Sequence, residues 1–116
     1  MAGKNSLITG ITDLLVLAIL NNNDSYVYEI TKSIERGSMG KLCISPNTIY
    51  TVTYKLEQEH MISEYSKLVG KKRTRIYYHI EPAGIEHYNE LLTTYQNMTI
   101  GVENILISLQ EGETNE

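Results

Sequence analysis

The last third of the chain carries the strongest constraint on what it can fold into. Tyr88, Tyr95, Val102 and Leu109 recur every seven residues, and Leu91, Met98 and Ile105 each follow three positions later. Apolar residues spaced 3.5 apart on average mark a helix that buries one seam against another helix. Leu92 and Leu106 widen the seam, and Thr99 interrupts the widening. Gly101 weakens the helix interior by about 1 kcal/mol relative to Ala, so a bend is expected there. From Pro82 to about Gln110 such a helix is about 43 Å long at 1.5 Å per residue, longer than a small domain is wide. Its outer half needs a second chain to cover it. A homodimer is therefore expected, joined through Leu91, Leu92, Tyr95, Met98, Val102, Ile105, Leu106 and Leu109. The polar residues 111–116 read as a disordered tail.

The remainder suits one domain in a chain of 116 residues. The longest apolar run, Leu14 to Leu20, falls far short of a membrane span, and no basic segment followed by a cleavage site opens the sequence. A cytoplasmic protein without membrane contact is expected. The single cysteine, Cys43, excludes an internal disulfide, and between Leu42 and Ile44 it reads as a small buried hydrophobe. His60, His79 and His87 are scattered, and no Cys and His pairing has metal-ligand spacing. No nucleophile and base, paired carboxylates or phosphate loop stands out, and Gly37 to Gly40 lacks P-loop spacing. Neither an enzyme nor a metal or cofactor is expected.

Net charge is -4, which alone argues against a nucleic-acid partner. Its distribution changes that reading. All ten Lys and Arg lie within residues 1–80 beside seven acids, whereas residues 81–116 hold seven acids and no base. Such asymmetry points to separate jobs for the two parts.

Leu7, Ile11, Leu14, Leu15, Ala18 and Ile19 fall at helical spacing between Ser6, an N-cap candidate, and Asn21. Asn21 to Ser25 supply turn formers and caps for a second helix carrying Val27, Ile30 and Ile34 up to Gly37. Leu42 to Ile44 form a short extended piece. Ser45-Pro46 then gives an N-cap and a proline at the first helical position, opening a third helix to about Glu59 with Ile49, Val52 and Leu56 on its apolar side. Ile62 to Leu68 and Thr74 to Ile80 read as two strands of a hairpin. The fold class is mainly α with a small β-hairpin, α+β. Residues 1–81 make a winged helix-turn-helix, and residues 82–110 make the long C-terminal dimerisation helix.

In that arrangement the third helix enters the major groove of double-stranded DNA. Away from its apolar side it offers Asn47, Thr48, Thr51, Lys55 and Gln58, suited to base edges and phosphates. Its N-terminus favours anions, so Ser45, Asn47 and Thr48 can hold a phosphate. The hairpin concentrates Lys67, Lys71, Lys72, Arg73 and Arg75 within nine residues that include no acid. Half the bases of an acidic chain thus sit where a wing meets the DNA backbone.

These residues resemble the PadR-like family of transcriptional regulators. The likeness covers about Ile11 to Tyr88: the apolar first helix, Tyr28-Glu29-Ile30, Ile44-Ser45-Pro46-Asn47-Thr48-Ile49-Tyr50 with Leu56-Glu57, Arg75-Ile76-Tyr77-Tyr78, and Ala83-Gly84 opening the last helix. It implies a dimeric DNA-binding repressor whose Ser45-Pro46 helix, Tyr50 included, reads DNA while the wing holds the backbone. It implies that the last helix packs on the first and last helices of the partner. It also implies that some members take aromatic ligands at the dimer centre, which makes Tyr88, Tyr95 and Met98 candidates for contacting a small aromatic effector. Three positions depart from the family pattern: Val27 and His60 stand where Gly is usual, and Glu81 where Thr is usual. His tolerates the left-handed conformation better than most residues, and Glu81 before Pro82 can still start a helix. A protein-interaction adaptor on the same scaffold is the alternative, and it would not need the basic wing.

Overall fold

The second and third helices bury the side that their apolar spacing marks out. Of the described residues marked on the first only Leu14 is buried, beside Val16, Leu17 and Leu20, and the outer part of the last helix stays exposed. The computed structural model describes the backbone of residues 2–115 and the side chains of residues 10–112. Helices α1 (Ala2–Asn22), α2 (Val27–Gly37) and α3 (Pro46–Gln58) precede the hairpin β1 (Ile62–Val69) and β2 (Arg73–Ile80), and α4 (Pro82–Asn115) closes the chain. Val16, Leu17 and Leu20 of α1 meet Val27, Ile30 and Ile34 of α2 and Ile49, Val52 and Leu56 of α3. Ile44, Ile62, Tyr78 and Ile80 complete this core. Truncating one of the fully buried aliphatics to Ala costs about 2–5 kcal/mol. The core therefore fixes the angle at which α3 is presented.

Several local expectations are corrected. Helix α1 starts at Ala2, so Ser6 lies inside it rather than at its cap, and the Ser6 and Leu7 side chains lie outside the described residues. The N-cap of α2 is Tyr26, which gives no side-chain cap. Instead Ser25 Oγ donates to Glu29 Oε1 at 2.7 Å across the first turn. Leu42 to Ile44, expected as a short extended piece, joins α2 to α3 without pairing to a strand. Ile44 is buried, while Cys43 is exposed rather than buried, its thiol 3.8 Å from the Gly40 carbonyl. At α3 the expectation holds: Thr48 N–H donates to Ser45 Oγ at 3.2 Å, with Pro46 in the first turn.

Two helices end on non-glycine residues in the left-handed region, Met39 at φ 56° after α2 and His60 at φ 61° after α3. Both ends use the paired bonds that absorb orphan carbonyls. After α3, Met61 N–H reaches the Leu56 carbonyl at 2.9 Å and His60 N–H the Glu57 carbonyl at 3.0 Å. After α2, Gly40 N–H bonds Glu35 at 2.8 Å and Met39 N–H bonds Arg36 at 3.1 Å. A non-glycine residue in this conformation costs roughly 1–2 kcal/mol, offset here by the closed turn.

The antiparallel hairpin pairs Ile62 with Ile80 through Val69 with Arg73, one residue longer on each strand at the tip than the spacing indicated. Gly70, at φ 70°, makes the turn. Ser25 adds a one-residue bridge to Tyr78 through two backbone bonds of 2.8 and 3.2 Å, so the turn before α2 becomes a rudimentary third strand.

Helix α4 leaves β2 at Glu81, whose N–H bonds the Met61 carbonyl at 2.9 Å and whose carboxylate accepts from Ser63. It crosses α1, with Tyr88 and Leu91 packed on the core of their own chain. It runs through Gly101 without a break and past Gln110 to Asn115, so residues 111–115, expected as a tail, are helical. Its projection gives the chain extents of 70 × 28 × 23 Å.

Candidate nucleic-acid interface

Helical geometry sorts the outer side of α3 into a centre and two flanks. With Ile49, Val52, Thr53 and Leu56 buried, the opposite face is centred on Asn47, Thr51, Tyr54 and Gln58, all exposed. The Thr51 hydroxyl donates to the Asn47 backbone carbonyl at 3.1 Å. Ser45 and Thr48 hydroxyls lie 3.1 Å apart at the N-terminus. Tyr54, 66% exposed, was not anticipated as part of this surface. Its position seven residues after Asn47 and three after Thr51 was the available signal. The flank toward α1 carries Lys55, which is paired with Asp13 of α1. The flank toward the hairpin carries Tyr50 and Glu57.

Tyr50 faces a groove of about 520 Å³ whose other wall includes Tyr28 of α2 and Arg73, Thr74 and Arg75 of β2. The fold thus brings α3, the start of α2 and the hairpin to one opening. Glu64 also lines it, close to Glu57. Burial, then the neighbouring Glu64 carboxylate, raise the Glu57 carboxyl above its ordinary value. Lys71, Lys72 and Arg73 are exposed around the tip. Among the described residues no carboxylate forms an ion pair with them.

Aromatic rings fix the base of the wing. The Arg75 guanidinium lies 4.3 Å from the Tyr26 ring centre, and Lys67 Nζ lies 4.9 Å from that of Tyr77. Tyr26 meets Tyr77 edge-on at 5.3 Å, and Tyr77 stacks on its cross-strand partner Tyr65 at 5.7 Å. The Tyr65 hydroxyl donates to Asp24 at 2.7 Å, and His79 Nδ1 approaches the other Asp24 oxygen at 2.8 Å. On the inner side, Tyr78 is buried in the core it shares with Ile49, Val52 and Leu56 of α3. The hairpin is thereby held to the turn before α2 on one face and packed against α3 on the other. Arg75 is consequently a half-buried, stacked cation, unlike the free bases at the tip.

The hydrogen bond to Asp24 raises the His79 pKa above its ordinary value, against a smaller opposing effect of burial. Burial raises the Asp24 carboxyl, but bonds from His79 and Tyr65 outweigh it and leave a net lowering. The raised histidine contributes stability below about pH 6.5, lost as pH rises through its folded value. The lowered aspartate contributes above about pH 3.9, lost as pH falls through its folded value. The stability difference between wild type and His79→Gln is therefore expected to peak near pH 5–6 and shrink above pH 7, read from urea unfolding midpoints. A pH-independent difference would show that the pair carries no charge. The effect is modest, because both side chains are more than a third exposed or close to it.

Along α4, Tyr95, Met98, Val102, Ile105, Leu106 and Leu109 are exposed, whereas Leu91 and Leu92 are half-buried. Ile100 and Ile107, seven apart and outside the expected seam, are also exposed. They broaden the apolar band beyond what one heptad stripe supplies.

A family model described as the transcriptional regulator PadR-like family matches residues 16–90. A transcriptional regulator from Clostridium thermocellum is 28% identical, covers 85% of this chain and 96% of its own, and superposes with TM-score 0.79. A PadR family transcriptional regulator from Eggerthella lenta is 24% identical over 90% of this chain and 89% of its own, with TM-score 0.77. PadR from Bacillus subtilis, solved with operator DNA, shares the fold at TM-score 0.65 and 20% identity, over 71% of this chain and 46% of its own. The match spans the core, α3, the hairpin and the start of α4, and on it the chain belongs to the PadR-like family of transcriptional regulators.

Proposed function

We propose that the chain is a sequence-specific DNA-binding regulator, a cytoplasmic homodimeric repressor without catalytic activity. The observation that carries the reading is the shared groove: Tyr50 of the polar α3 face and Arg73 and Arg75 of β2 line one opening. Residues 1–81 serve as the DNA-binding part, with Asn47, Thr51 and Tyr54 toward base edges and Ser45, Thr48 and Lys71 to Arg73 toward phosphates. The operator complex of Bacillus subtilis PadR, on the same fold, supports this use of the scaffold. Residues 82–110 serve for dimerisation through the exposed apolar band of α4. Two reading heads then stand about 34–36 Å apart, one turn of DNA, or a multiple of it.

The test is a gel shift with the DNA upstream of the chain's own gene. Replacing Lys71, Lys72 and Arg73 with Ala is expected to weaken binding to every duplex. It should also flatten the slope of log K against log salt by up to about 2.7, or 0.9 per lost phosphate contact. Asn47→Ala should instead change which sequences are preferred. Unchanged affinity and slope in the triple variant would remove the wing from the interface, and no binding by wild type would favour a protein-interaction adaptor.

The effector belongs to the same proposal. Tyr95 and Met98 face the seam, with Tyr88 at its inner end, and a planar aromatic molecule between paired α4 helices would change the spacing of the heads. It would release DNA only by binding the free dimer more tightly. A compound screen by tyrosine fluorescence and gel shift checks this. Failure to find a compound that both binds and weakens DNA affinity counts against it, as does a hit indifferent to Tyr95→Ala.

A further inference from the structure

Lys55 differs from the other bases of the candidate interface. Its ammonium donates to a carboxylate oxygen of Asp13, which reaches it from α1 across 42 positions of sequence. The Lys55 side chain is 49% exposed and Asp13 is 23% exposed, so the pair sits at the edge of the reading face rather than in the core. Lys67 and Arg75 lean on tyrosine rings, and Lys71, Lys72 and Arg73 carry no carboxylate partner among the described residues. Among these, only Lys55 is neutralised by an acid before DNA arrives.

We propose that Asp13 limits the affinity of this interface by withholding Lys55 from the phosphate backbone. The inference rests on the DNA-binding reading of α3. A paired lysine releases few counterions when it meets a phosphate, and the carboxylate beside it repels the backbone. Retention on DNA then depends more on base-edge contacts from Asn47, Thr51 and Tyr54. An acid at this flank thus favours discrimination over general adhesion. Lys55 contributes its aliphatic stem and, once Asp13 is removed, its charge.

Asp13→Asn keeps the shape and removes the charge. It is expected to bind operator and unrelated duplexes more tightly than wild type, with the salt slope steeper by about 0.9. Its advantage should therefore shrink about 3.5-fold between 50 and 200 mM salt, since a fourfold change in salt is raised to that power. Adding Lys55→Gln to Asp13→Asn should return the slope to the wild-type value. Lys55→Gln alone should weaken binding without flattening the slope, and this variant keeps the inference testable if Asp13→Asn folds poorly. Urea unfolding midpoints confirm that the compared proteins are folded. Wild-type binding with an unchanged or weaker Asp13→Asn overturns the inference alone, as does a flattened slope in Lys55→Gln. If neither wild type nor Asp13→Asn binds any duplex at 50 mM salt, the DNA-binding reading falls and this inference with it.

Discussion

Gly84→Val is expected to cost about 3 kcal/mol or more of stability, a large share of the roughly 5–15 kcal/mol that holds a domain of this size. Gly84 is buried in the first turn of α4, and a Cβ added there would overlap the Met61 carbonyl oxygen and stand 2.8 Å from Cγ1 of Ile80. The carbonyl cannot turn aside, because it accepts the Glu81 N–H, while the Met61 N–H is held by Leu56 in the turn that ends α3. Relief requires moving α4 off the hairpin. Overpacking of this kind typically costs 1–3 kcal/mol and sometimes more, and a β-branched side chain adds two further atoms to the collision. Gly84→Ala is expected to be milder, since alanine regains about 1 kcal/mol of helix propensity. Urea unfolding of both variants checks the order. An alanine variant as stable as wild type would show that α4 does not approach Met61 this closely.

That close approach was legible in part. Ala83-Gly84 was read as the opening of the last helix through family resemblance, but the sequence does not show that Met61 lies against it. Features with a period were readable: the three helices, the alternation of β2 and the heptads of α4. Features made by single residues far apart in sequence were not. The Ser25 bridge to Tyr78 is one residue long and has no alternation to detect. Asp13 and Lys55 carry no mutual signal across 42 positions. Tyr26 likewise joins the Tyr65 and Tyr77 pair only when the hairpin meets the turn before α2.

Cys43 was read as buried because its neighbours are apolar, yet in extended backbone alternate side chains take opposite sides. With Ile44 inward, Cys43 faces out. His60 adopts the left-handed conformation expected of it, and Met39 adopts the same conformation between Gly37 and Gly40, where glycine was the residue type expected to take it. On α4, fitting one a and d seam left Ile100 and Ile107 uncounted. A band that wide can meet two helices of a partner, the arrangement the family resemblance implied.

Ile105→Asp is expected to abolish dimerisation at micromolar concentration and lower operator affinity by about a hundredfold or more. Ile105 is 61% exposed in the single chain, beside Val102, Leu106 and Leu109, on a part of α4 that reaches past its own core. Fully burying one such side chain contributes about 1.5–3 kcal/mol, and a two-fold axis counts each position twice. The substitution removes that contribution on both chains and sets two carboxylates into an apolar seam without partners. The wing and core are untouched, so the monomer should keep its helical circular dichroism and its cooperative unfolding, unlike Gly84→Val. DNA affinity falls because two linked heads bind with an effective concentration that a free monomer lacks, a factor of about 10² to 10⁴. Sedimentation and gel shift on the same preparation separate the two effects. A wild type that is monomeric at micromolar concentration would refute the dimer outright. A dimeric Ile105→Asp protein would instead shift the interface around α4 toward Ile100 and Ile107, and the corresponding Ile100→Asp should then disrupt it.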